Sequence, residues 1–588
     1  MIKPDPLLLR AWFEQTRVAI QRSSGRAALA RWMQTNTRDP FKPVNPWSFK
    51  KHEYQIGILE SNTPHTSVRK AAQTGVSELT VRAVLGLLSL FPGTNWIYVL
   101  PSLMFARKFS VSRIDPVIEN SPFLYTSVSK EVNSSEIKRI GSSFLFVAGA
   151  QKQSQAISIP AKGLVRDEHD FCDPQVLTTF ESRLAHNEPN EEVILDFSTP
   201  TLPGYGISKL FDAGDGRVYM AWHEKCGQWV EVNPSTSIVI PGFQDSLFML
   251  QKEDLNDPRI KVKDSWVKCP HCGGEISLQN LSTPEYRAWV PARDNRDSAS
   301  FYVSPLDVPS VNPPSKIVWK ILSYESSSDW INFGLGMPYE SAENSVSTER
   351  LDKAFCLPPV YPREGAAAGT AMGVDVGKIS HMLIGKRVDG KLHLIWGERI
   401  RQDEENTLRD TYLERQAQYG VVRGVIDAAP DLTVPKQVIA RSHTSQAWAA
   451  YFVQGSGPAS LGLFTQDFLD QVVKIYRTRT MDAFVKEFNA GRVLLPAGHP
   501  DEQIIKKQFK AMKRIKRLTA EGNEKAVWVS DGDDHYFLAA TYLFAAQRMM
   551  EDGLNVIPIS AFSGKGVIGK VRMKLPGEEG QERTFKPL

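Results

Sequence analysis

Apolar and polar positions recur along the chain with two different periods, which predict two kinds of element. Between residues 65 and 200, short apolar runs of strand length are separated by segments in which apolar residues return every three to four positions. The first pattern is typical of buried strands and the second of amphipathic helices. Strands that alternate with helices form mainly parallel sheets, so this region predicts an α/β fold.

The predicted elements set the positions at which chemistry is expected. Helices are predicted over residues 78–90, 102–119 and 175–185, and strands over residues 95–100, 143–148, 163–168 and 192–198. Ligands of such sheets bind at the carboxyl ends of the strands. Polar side chains at those ends are therefore the first candidates for a functional site.

One strand-to-helix turn has the layout of a phosphate-binding loop. The sequence VRKAAQTGVSE at residues 68–78 leads from a β-compatible run into a predicted helix. Backbone N–H groups at the start of a helix can hold phosphates, and the Ser77 hydroxyl is placed to ligate Mg²⁺. Val76 occupies the usual lysine position, while Lys70 stands at the front of the loop. The turn therefore resembles a deviant Walker A loop in which Lys70, Gly75, Val76 and Ser77 contact the nucleotide, and an ordinary turn is the alternative.

Two adjacent carboxylates end a later apolar strand, LVRDE at residues 164–168. In an ATPase of this architecture the first acid, Asp167, steadies the Mg²⁺ shell and the second, Glu168, polarises the attacking water. A solvated acidic turn is the alternative. Tyr54 and Gln55 precede the loop by the distance at which many nucleic-acid motors place an adenine-reading aromatic and glutamine, and core packing is their alternative role. The tripeptide Ser198-Thr199-Pro200, which ends the next strand, is a candidate for coupling the γ-phosphate to motion.

Cysteine spacing predicts a metal site. Three of the five cysteines form two knuckles with a histidine: His223 with Cys226, and Cys269 with Cys272. Four such ligands suit tetrahedral, structural Zn²⁺. His271, inside the second knuckle, is an alternative to His223. Cys172 and Cys356 have no partner by spacing, and we expect both to be buried small apolar residues.

A third set of acids predicts a second reaction centre beyond an alanine- and glycine-rich linker at residues 362–370. Asp375 lies in the first strand of a predicted antiparallel meander, Asp427 ends a fourth strand, and Asp534 precedes a late helix. Acids in these positions are the RNase H arrangement, which holds two divalent ions that cleave a phosphodiester. Asp531 and Asp533 are alternatives to Asp534, which could instead be a helix N-cap.

Charge and hydropathy limit the kinds of partner and the location that we expect for the protein. The 588 residues include 70 Lys and Arg against 66 Asp and Glu, so nucleic acid must be bound by local patches rather than by a global field. Residues 504–518 form one such patch on a predicted helix, with candidate DNA contacts at Lys506, Lys507, Lys510, Lys513, Arg514, Lys516 and Arg517. No apolar run is as long as a membrane span and the first residues lack a signal-peptide core, so we expect a soluble, intracellular protein.

In this order, the motifs resemble those of the large terminase subunit of tailed bacteriophages, in its lambda-like, GpA-type branch. The resemblance covers about residues 45 to 550 and is carried by KAAQTGVSE, CPHCGG, GVDVG and DDHYFLAATY. It implies an ASCE, RecA-like P-loop ATPase with an inserted zinc ribbon, followed by an RNase H-like nuclease. A terminase of this kind packages double-stranded DNA into the procapsid and cuts the concatemer, using ATP, Mg²⁺ or Mn²⁺, and Zn²⁺. His223 departs from the family pattern, because a cysteine is more usual there.

The resemblance also implies a domain organisation and partners. We expect a helical module at 1–45 that contacts the terminase small subunit, the motor at 46–362 with its zinc ribbon at about 216–280, the nuclease at 363–550, and a tail at 551–588 that contacts the portal protein. The active form would be a homo-oligomeric ring in the host cytoplasm, transiently at the portal. Its arginine finger would be one of Arg69, Arg139, Arg166 and Arg183.

Two other functions fit the same motifs less completely. One is an ATP-dependent DNA helicase or remodeller with an inactive RNase H-like domain. The other is an integrase-like DNA strand-transfer protein that does not hydrolyse ATP. DNA-stimulated ATP hydrolysis and divalent-dependent plasmid cleavage distinguish all three.

Overall fold

The computed structural model describes residues 27–61, 63–156, 160–187, 192–295, 297–340, 344–358, 369–401, 407–429, 431–442, 446–453, 462–518, 524–530 and 532–551. The described residues fall into two compact units. The first takes its residues from Met1–Cys356, Gln454–Ala459 and Tyr476–Phe537, and the second from Leu357–Val453, Ser460–Ile475 and Leu538–Leu588.

The first unit is built on a large, mainly parallel sheet. Its strands and those of the smaller sheet beside it are β1 (His65–Lys70), β2 (Asn95–Leu100), β3 (Val128–Asn133), β4 (Ile137–Ile140), β5 (Ser143–Gly149), β6 (Gly163–Asp167), β7 (Val193–Ser198), β8 (Arg217–His223), β9 (Gln228–Val230), β10 (Ile238–Val239), β11 (Trp266–Lys268), β12 (Glu275–Ile276), β13 (Arg287–Val290) and β14 (Ser298–Val303). The large sheet has the order β13-β8-β14-β1-β7-β6-β2-β5-β4-β3, and β10, β11 and β12 form the smaller sheet. The parallel pairs around β1 and β6 confirm the predicted α/β fold.

The first unit also contains helices. They span Ala27–Asn36, Tyr54–Leu59, Val76–Leu90, Leu103–Phe109, Asp115–Asn120, Pro122–Ser127, Pro174–Glu181, Gly206–Ala213, Pro234–Ser237, Leu278–Ser282, Pro314–Trp319, Ser327–Asp329, Thr348–Ala354, Arg477–Asn489 and Glu502–Ala511, with π-helical turns at Ser110–Ile114 and Trp330–Leu335. The helix Val76–Leu90 is buried on almost all sides, and Ala27–Asn36 packs closely on it. A Cβ at Gly86 would lie 2.6 Å from Leu29 Cδ1, so the two helices need a glycine at their crossing.

Sheet order explains how two distant loops meet. β7 lies between β1 and β6, and all three run parallel. The carboxyl ends of β1 and β6 therefore open at the same edge of the sheet, where ligands of α/β proteins bind.

A short strand, β15 (Phe355–Leu357), follows the last helix before the linker.

The second unit contains the predicted antiparallel meander. Its strands are β16 (Thr370–Asp375), β17 (Ile379–Val388), β18 (Lys391–Arg401), β19 (Val421–Asp427), β20 (Ala447–Val453), β21 (Phe464–Asp467) and β22 (Val472–Tyr476). They run in the order β18-β17-β16-β19-β20-β22-β21, and β16 pairs antiparallel with β17 and parallel with β19. Helices span Thr407–Gln418, Thr433–Arg441 and His535–Glu551. The last packs tightly on β16, because a Cβ at Gly373 would lie 2.2 Å from Leu543 N.

The predicted helix over residues 504–518 is wrong in its second half. The helix ends at Ala511, and after β23 (Val493–Pro496) the next strand, β24, spans Met512–Leu518 and pairs antiparallel with β25 (Glu524–Ser530). The whole basic run is predicted to lie on one continuous helix. Pairing with β25 overrides a helix in its second half, because Ile515 and Val529 bury against Leu202 and Tyr205 as one apolar cluster.

Several predictions concern residues outside the described part of the chain. These are most of the N-terminal module, most of the linker at 362–370, the tail from residue 552 onward, and Asp531. Within the described residues, no helix combines the length and the apolar composition needed to cross a bilayer.

Candidate nucleotide and metal sites

The carboxyl ends of β1 and β6 bring Lys70 and Glu168 together. Lys70 is the last residue of β1, and its buried side chain donates to Glu168 Oε1 at 3.1 Å. Glu168 directly follows β6 in the left-handed region, with φ 52°. On its other oxygen it accepts a long hydrogen bond of 3.5 Å from Thr199 Oγ1. The two most specific residues of the predicted nucleotide site thus contact each other.

The loop after β1 has the backbone geometry of a phosphate cradle. Gly75 caps the helix Val76–Leu90 at φ 89°, and a Cβ there would lie 3.2 Å from both Gln55 Nε2 and His52 Cδ2. A side chain would therefore be strained at this position. The first N–H groups of this helix, including that of Ser77, have no acceptor within the helix, and they fit an anion.

Asp167 is buried and has one carboxylate oxygen without a hydrogen-bond partner, as expected of a cation ligand. It is 2% exposed, and Tyr98 donates its hydroxyl proton to Oδ2 at 2.9 Å. Oδ1 is buried and has no hydrogen-bond partner. Burial, followed by the neighbouring Glu168 charge, raises the pKa of this carboxyl group. A bound Mg²⁺ would satisfy the unpaired oxygen and hold the group ionised.

Tyr54 and Gln55 form hydrogen bonds with the backbone of the phosphate loop. Tyr54 donates to the carbonyl oxygen of Thr74 at 2.5 Å, and Gln55 Nε2 donates to that of Gly75 at 3.1 Å. Both side chains are buried, so the Tyr54 ring presents no open face to a base. Base recognition by this pair stays a prediction.

Sequence reasoning missed a third wall of the loop, supplied by the π-helical turn Trp330–Leu335. Ala72 donates its N–H to the carbonyl oxygen of Phe333 at 2.7 Å, and a Cβ at Gly336 would lie 2.4 Å from Ala71 N. The Phe333 ring also stacks on Phe171, just after β6. In the sequence, the glycine at position 336 is the one sign of a left-handed turn. Nothing indicates that this turn contacts the phosphate loop, so the contact could not be foreseen.

Side-chain contacts separate the four arginine-finger candidates. The Arg69 guanidinium lies 4.0 Å from the centre of the Phe211 ring, and Arg166 is paired with Asp196 and Glu181 inside the unit. Neither can extend to a neighbouring subunit in this conformation. Arg139 is exposed and Arg183 is half-buried, so these two remain candidates.

Ion pairs occupy most of the predicted DNA-contact patch. Five of its seven cations pair with acids of the first unit: Lys506 with Asp352, Lys513 with Glu340, Arg514 with Asp482, Lys516 with Asp329, and Arg517 with Asp173. Lys507 and Lys510 are exposed on the helix Glu502–Ala511. The prediction of a single basic helix face is therefore wrong. The helix exposes Lys507 and Lys510, and the hairpin of β24 and β25 beside it carries cations that are ion-paired.

The two predicted knuckles meet and form a four-ligand cluster. His223 Nδ1 lies 3.3 Å from Cys226 Sγ and 3.5 Å from Cys272 Sγ, and Cys226 Sγ lies 3.9 Å from Cys269 Sγ. A tetrahedral zinc ion with bonds of about 2.0–2.3 Å requires ligand atoms roughly 3.5–3.8 Å apart. The Glu275 carbonyl oxygen lies 3.1 Å from His223 Nε2, so it fixes the tautomer that leaves Nδ1 free to ligate. The cluster therefore fits zinc.

The remaining cysteines and His271 lie outside this cluster. His271 is exposed and is not one of the four grouped ligands, so the arrangement favours His223. Cys172 is fully buried, as predicted. Cys356 is exposed, so its predicted burial is wrong. Cys356 lies in the short strand β15, where its small side chain is left in solvent.

In the second unit, Asp375 and Asp427 lie side by side. They end the adjacent parallel strands β16 and β19, whose preceding residues, Val374 and Ile426, are register partners. Asp427 Oδ1 accepts from the Tyr542 hydroxyl at 2.8 Å. Burial and, secondarily, the Asp375 charge raise the pKa of Asp427 to about 6. Two neighbouring carboxyl groups of this kind are suited to sharing a divalent ion.

The third acid is less well defined. Asp534 is half-buried one residue before the helix His535–Glu551, and Asp533 is exposed. The metal-ligand role of Asp534 stays a prediction. Sequence reasoning missed His381, a buried residue that is the register partner of Asp375 on β17. A strand pattern alone does not show which residues pair across strands.

One family model of known proteins matches the segment that contains the candidate nucleotide site. Residues 44–286 match the family model of the phage terminase large subunit gpA, ATPase domain. No curated protein matches the chain.

Three solved structures are similar to this chain at low identity. The large terminase of bacteriophage HK97 is 11% identical, with 88% of this chain and 99% of that chain covered and a TM-score of 0.45. The large terminase of a thermophilic bacteriophage in complex with ADP is 10% identical, with coverage of 85% and 98% and a TM-score of 0.30. The large terminase nuclease of the thermophilic phage G20c is 15% identical, with coverage of 34% and 98% and a TM-score of 0.25. Residues 44–286 are thus similar to the ATPase domain of the phage terminase large subunit, and the resemblance drawn from the sequence is confirmed over that segment.

Proposed function

We propose that this chain is the large subunit of a DNA-packaging terminase, which uses ATP hydrolysis to move double-stranded DNA into a procapsid and cuts concatemeric DNA at a second, two-metal centre. The observation that supports it best is the convergence of Lys70, Asp167 and Glu168 at one sheet edge inside the segment that matches the terminase ATPase domain. Motors of this class need a phosphate cradle, a magnesium ligand and a water-orienting carboxylate in that arrangement.

Each residue of the nucleotide site has a distinct task in this proposal. The loop N–H groups and the Lys70 ammonium bind the phosphates, and Asp167 with Ser77 holds the magnesium shell. Glu168 accepts a proton from the attacking water while Lys70 neutralises charge that develops on the phosphate. Thr199, which contacts Glu168, is placed to respond when the γ-phosphate leaves.

The nuclease proposal depends on Asp375 and Asp427. Both end strands of the mixed sheet and are neighbours in it, which supports an RNase H-like arrangement. We propose that Asp375 and Asp427 would hold the divalent ions, with Asp534 as the predicted third ligand. Magnesium or manganese at such a site supplies the activated water and stabilises the leaving oxygen.

Zinc has a structural role in this proposal. Four protein ligands leave no open coordination position for a substrate. The metal would join the turn after β8 to the turn after β11. Binding of DNA, of a small subunit at the N-terminal module and of a portal protein at the tail completes the proposal, with a ring of copies as the active form.

Two assays on one preparation test the proposed function. We expect ATP hydrolysis that double-stranded DNA stimulates, together with plasmid cleavage that requires Mg²⁺ or Mn²⁺. ATP hydrolysis without cleavage at any divalent concentration would favour the helicase or remodeller. Cleavage or strand transfer without ATP hydrolysis would favour the integrase-like protein.

A further inference from the structure

A buried carboxylate lies on β7, beside the strand β6 that leads into the acid pair Asp167 and Glu168. Asp196 on β7 is fully buried and is the register partner of Arg166 on β6. It accepts hydrogen bonds from Arg166 Nε at 2.5 Å and from Arg166 Nη2 at 2.6 Å, and His65 Nε2 lies 2.5 Å away. Burial opposes its ionisation, but the Arg166 guanidinium holds the pKa of Asp196 well below its usual range. A permanent anion is therefore fixed there.

His169 also binds this anion. Its Nδ1 lies 2.9 Å from Asp196 Oδ1, and its side chain is 15% exposed. His169 directly follows Glu168, so Asp196 holds the residues on both sides of the Asp167–Glu168 pair. We propose that His169, anchored on Asp196, is a positioning residue that keeps Glu168 in its reactive orientation. The inference rests on the ATPase activity proposed above.

The backbone at Glu168 explains why such an anchor is needed. Side chains of a strand alternate between its faces, so Arg166 and Asp167 point in opposite directions. At Glu168 the chain enters the left-handed region, which directs the Glu168 carboxylate to Lys70 and returns His169 to the Asp196 side. A non-glycine residue avoids this conformation unless its surroundings enforce it. The His169–Asp196 contact is one such restraint.

Asp170 supplies a second restraint on the same turn. Its Oδ2 accepts from Thr201 N and from Thr201 Oγ1, both at 2.8 Å, and its Oδ1 accepts from Ile207 N at 2.7 Å. Asp170 is fully buried, so its replacement endangers folding as well as catalysis. His169 is partly exposed and, among the described residues, its side chain makes no hydrogen bond or ion pair with the phosphate loop, so it gives the cleaner test.

The test compares His169→Leu, which removes the contact, with His169→Asn, whose amide can still donate to Asp196. His186→Leu, at an exposed histidine, is the matched control. For each full-length protein, kcat for ATP, the nucleotide Kd and the thermal unfolding temperature are measured. We expect His169→Leu to lower kcat by about tenfold, with the Kd changed by less than about twofold and unfolding unaltered. His169→Asn should recover most of the rate, and the control should match the wild type.

The outcomes separate this inference from the proposed function. Wild-type rates in His169→Leu, or equal losses in the leucine and asparagine variants, would overturn the positioning role while leaving the ATPase assignment intact. A wild-type protein without ATP hydrolysis would overturn both. If His169→Leu loses its unfolding transition, His169→Ala, which leaves room for water at Asp196, replaces it under the same criteria.

Discussion

Lys70 and Glu168 form an ion pair of 3.1 Å between the front of the phosphate loop and the end of β6. In the proposed function, Lys70 is the cation that binds a phosphate and Glu168 is the carboxylate that accepts a proton from the attacking water. A phosphate that draws Lys70 toward itself therefore frees Glu168 for its proton-accepting task. This pairing is possible because Lys70 stands at the front of the loop, whereas Val76 occupies the usual lysine position.

Replacement of Glu168 by glutamine should separate turnover from binding. Because the carboxylate acts on the water and not on the phosphates, we expect kcat to fall by about 10²–10⁴-fold with little change in nucleotide Kd. Steady-state hydrolysis and fluorescent-nucleotide binding measure the two quantities. Glu119→Gln, at an exposed glutamate, is the control. Unchanged turnover in Glu168→Gln would reject its role.

The zinc site predicts about one tightly bound zinc ion per chain, detectable by elemental analysis of purified protein. Cys269→Ser should lose the metal and lower the unfolding temperature, since Cys269 is the most buried of the three cysteine ligands. Cys356→Ser, outside the cluster, should retain full metal content. A zinc-free wild-type protein that unfolds normally would contradict the site.

The acid pair of the second unit predicts loss of DNA cleavage in Asp375→Asn. The amide cannot bridge two divalent ions, so supercoiled plasmid should stay uncut in Mn²⁺ while ATP hydrolysis continues. Calcium should not support cutting by the wild type, because its longer, looser coordination misplaces the water. Asp389→Asn, at an exposed turn, should cut normally. Equal cutting by both variants would exclude the metal role of Asp375.

The two exposed lysines predict a localised DNA contact. Changing Lys507 and Lys510 together to glutamine should weaken DNA binding at low salt and reduce the slope of log K against log salt by about 2. Lys513→Gln should have little effect, because Glu340 already neutralises that lysine. Titration at several salt concentrations measures both. Equal slopes for the double variant and the wild type would remove this surface from the DNA path.

Asp170 predicts a pH dependence of stability. Burial raises its pKa to about 6, above the value in an unfolded chain. The folded state then holds the proton more tightly, so the stabilisation is complete at low pH and is lost as pH rises toward and through 6. Relative to Asp170→Asn, which does not titrate, the wild type should lose roughly 1 kcal/mol between pH 5 and pH 7. Calorimetry of both proteins at the two pH values tests this, and a constant difference would contradict it.

Sequence patterns predicted those parts of the protein that depend on local order. The strands around residues 95–100 and 163–168, the loop at Gly75 and the cysteine knuckles each carry a local signature, and the structure places them as elements or clusters. The second half of the 504–518 segment was mispredicted because it pairs as a strand with residues 524–530. His169 and Phe333 carry no signature, since their importance arises from partners 27 residues or more away along the chain.

The contact of Gly336 with the Lys70–Ala71 backbone has a consequence for fragments of the protein. The segment that matches the terminase ATPase family stops at residue 286, yet β14, which pairs with β1 along its whole length, begins at Ser298. A polypeptide cut at the family boundary would expose one edge of the strand that bears Lys70 and remove the backing of its loop. The smallest autonomous motor must therefore extend beyond residue 336, and shorter pieces should aggregate through the bared strand edge.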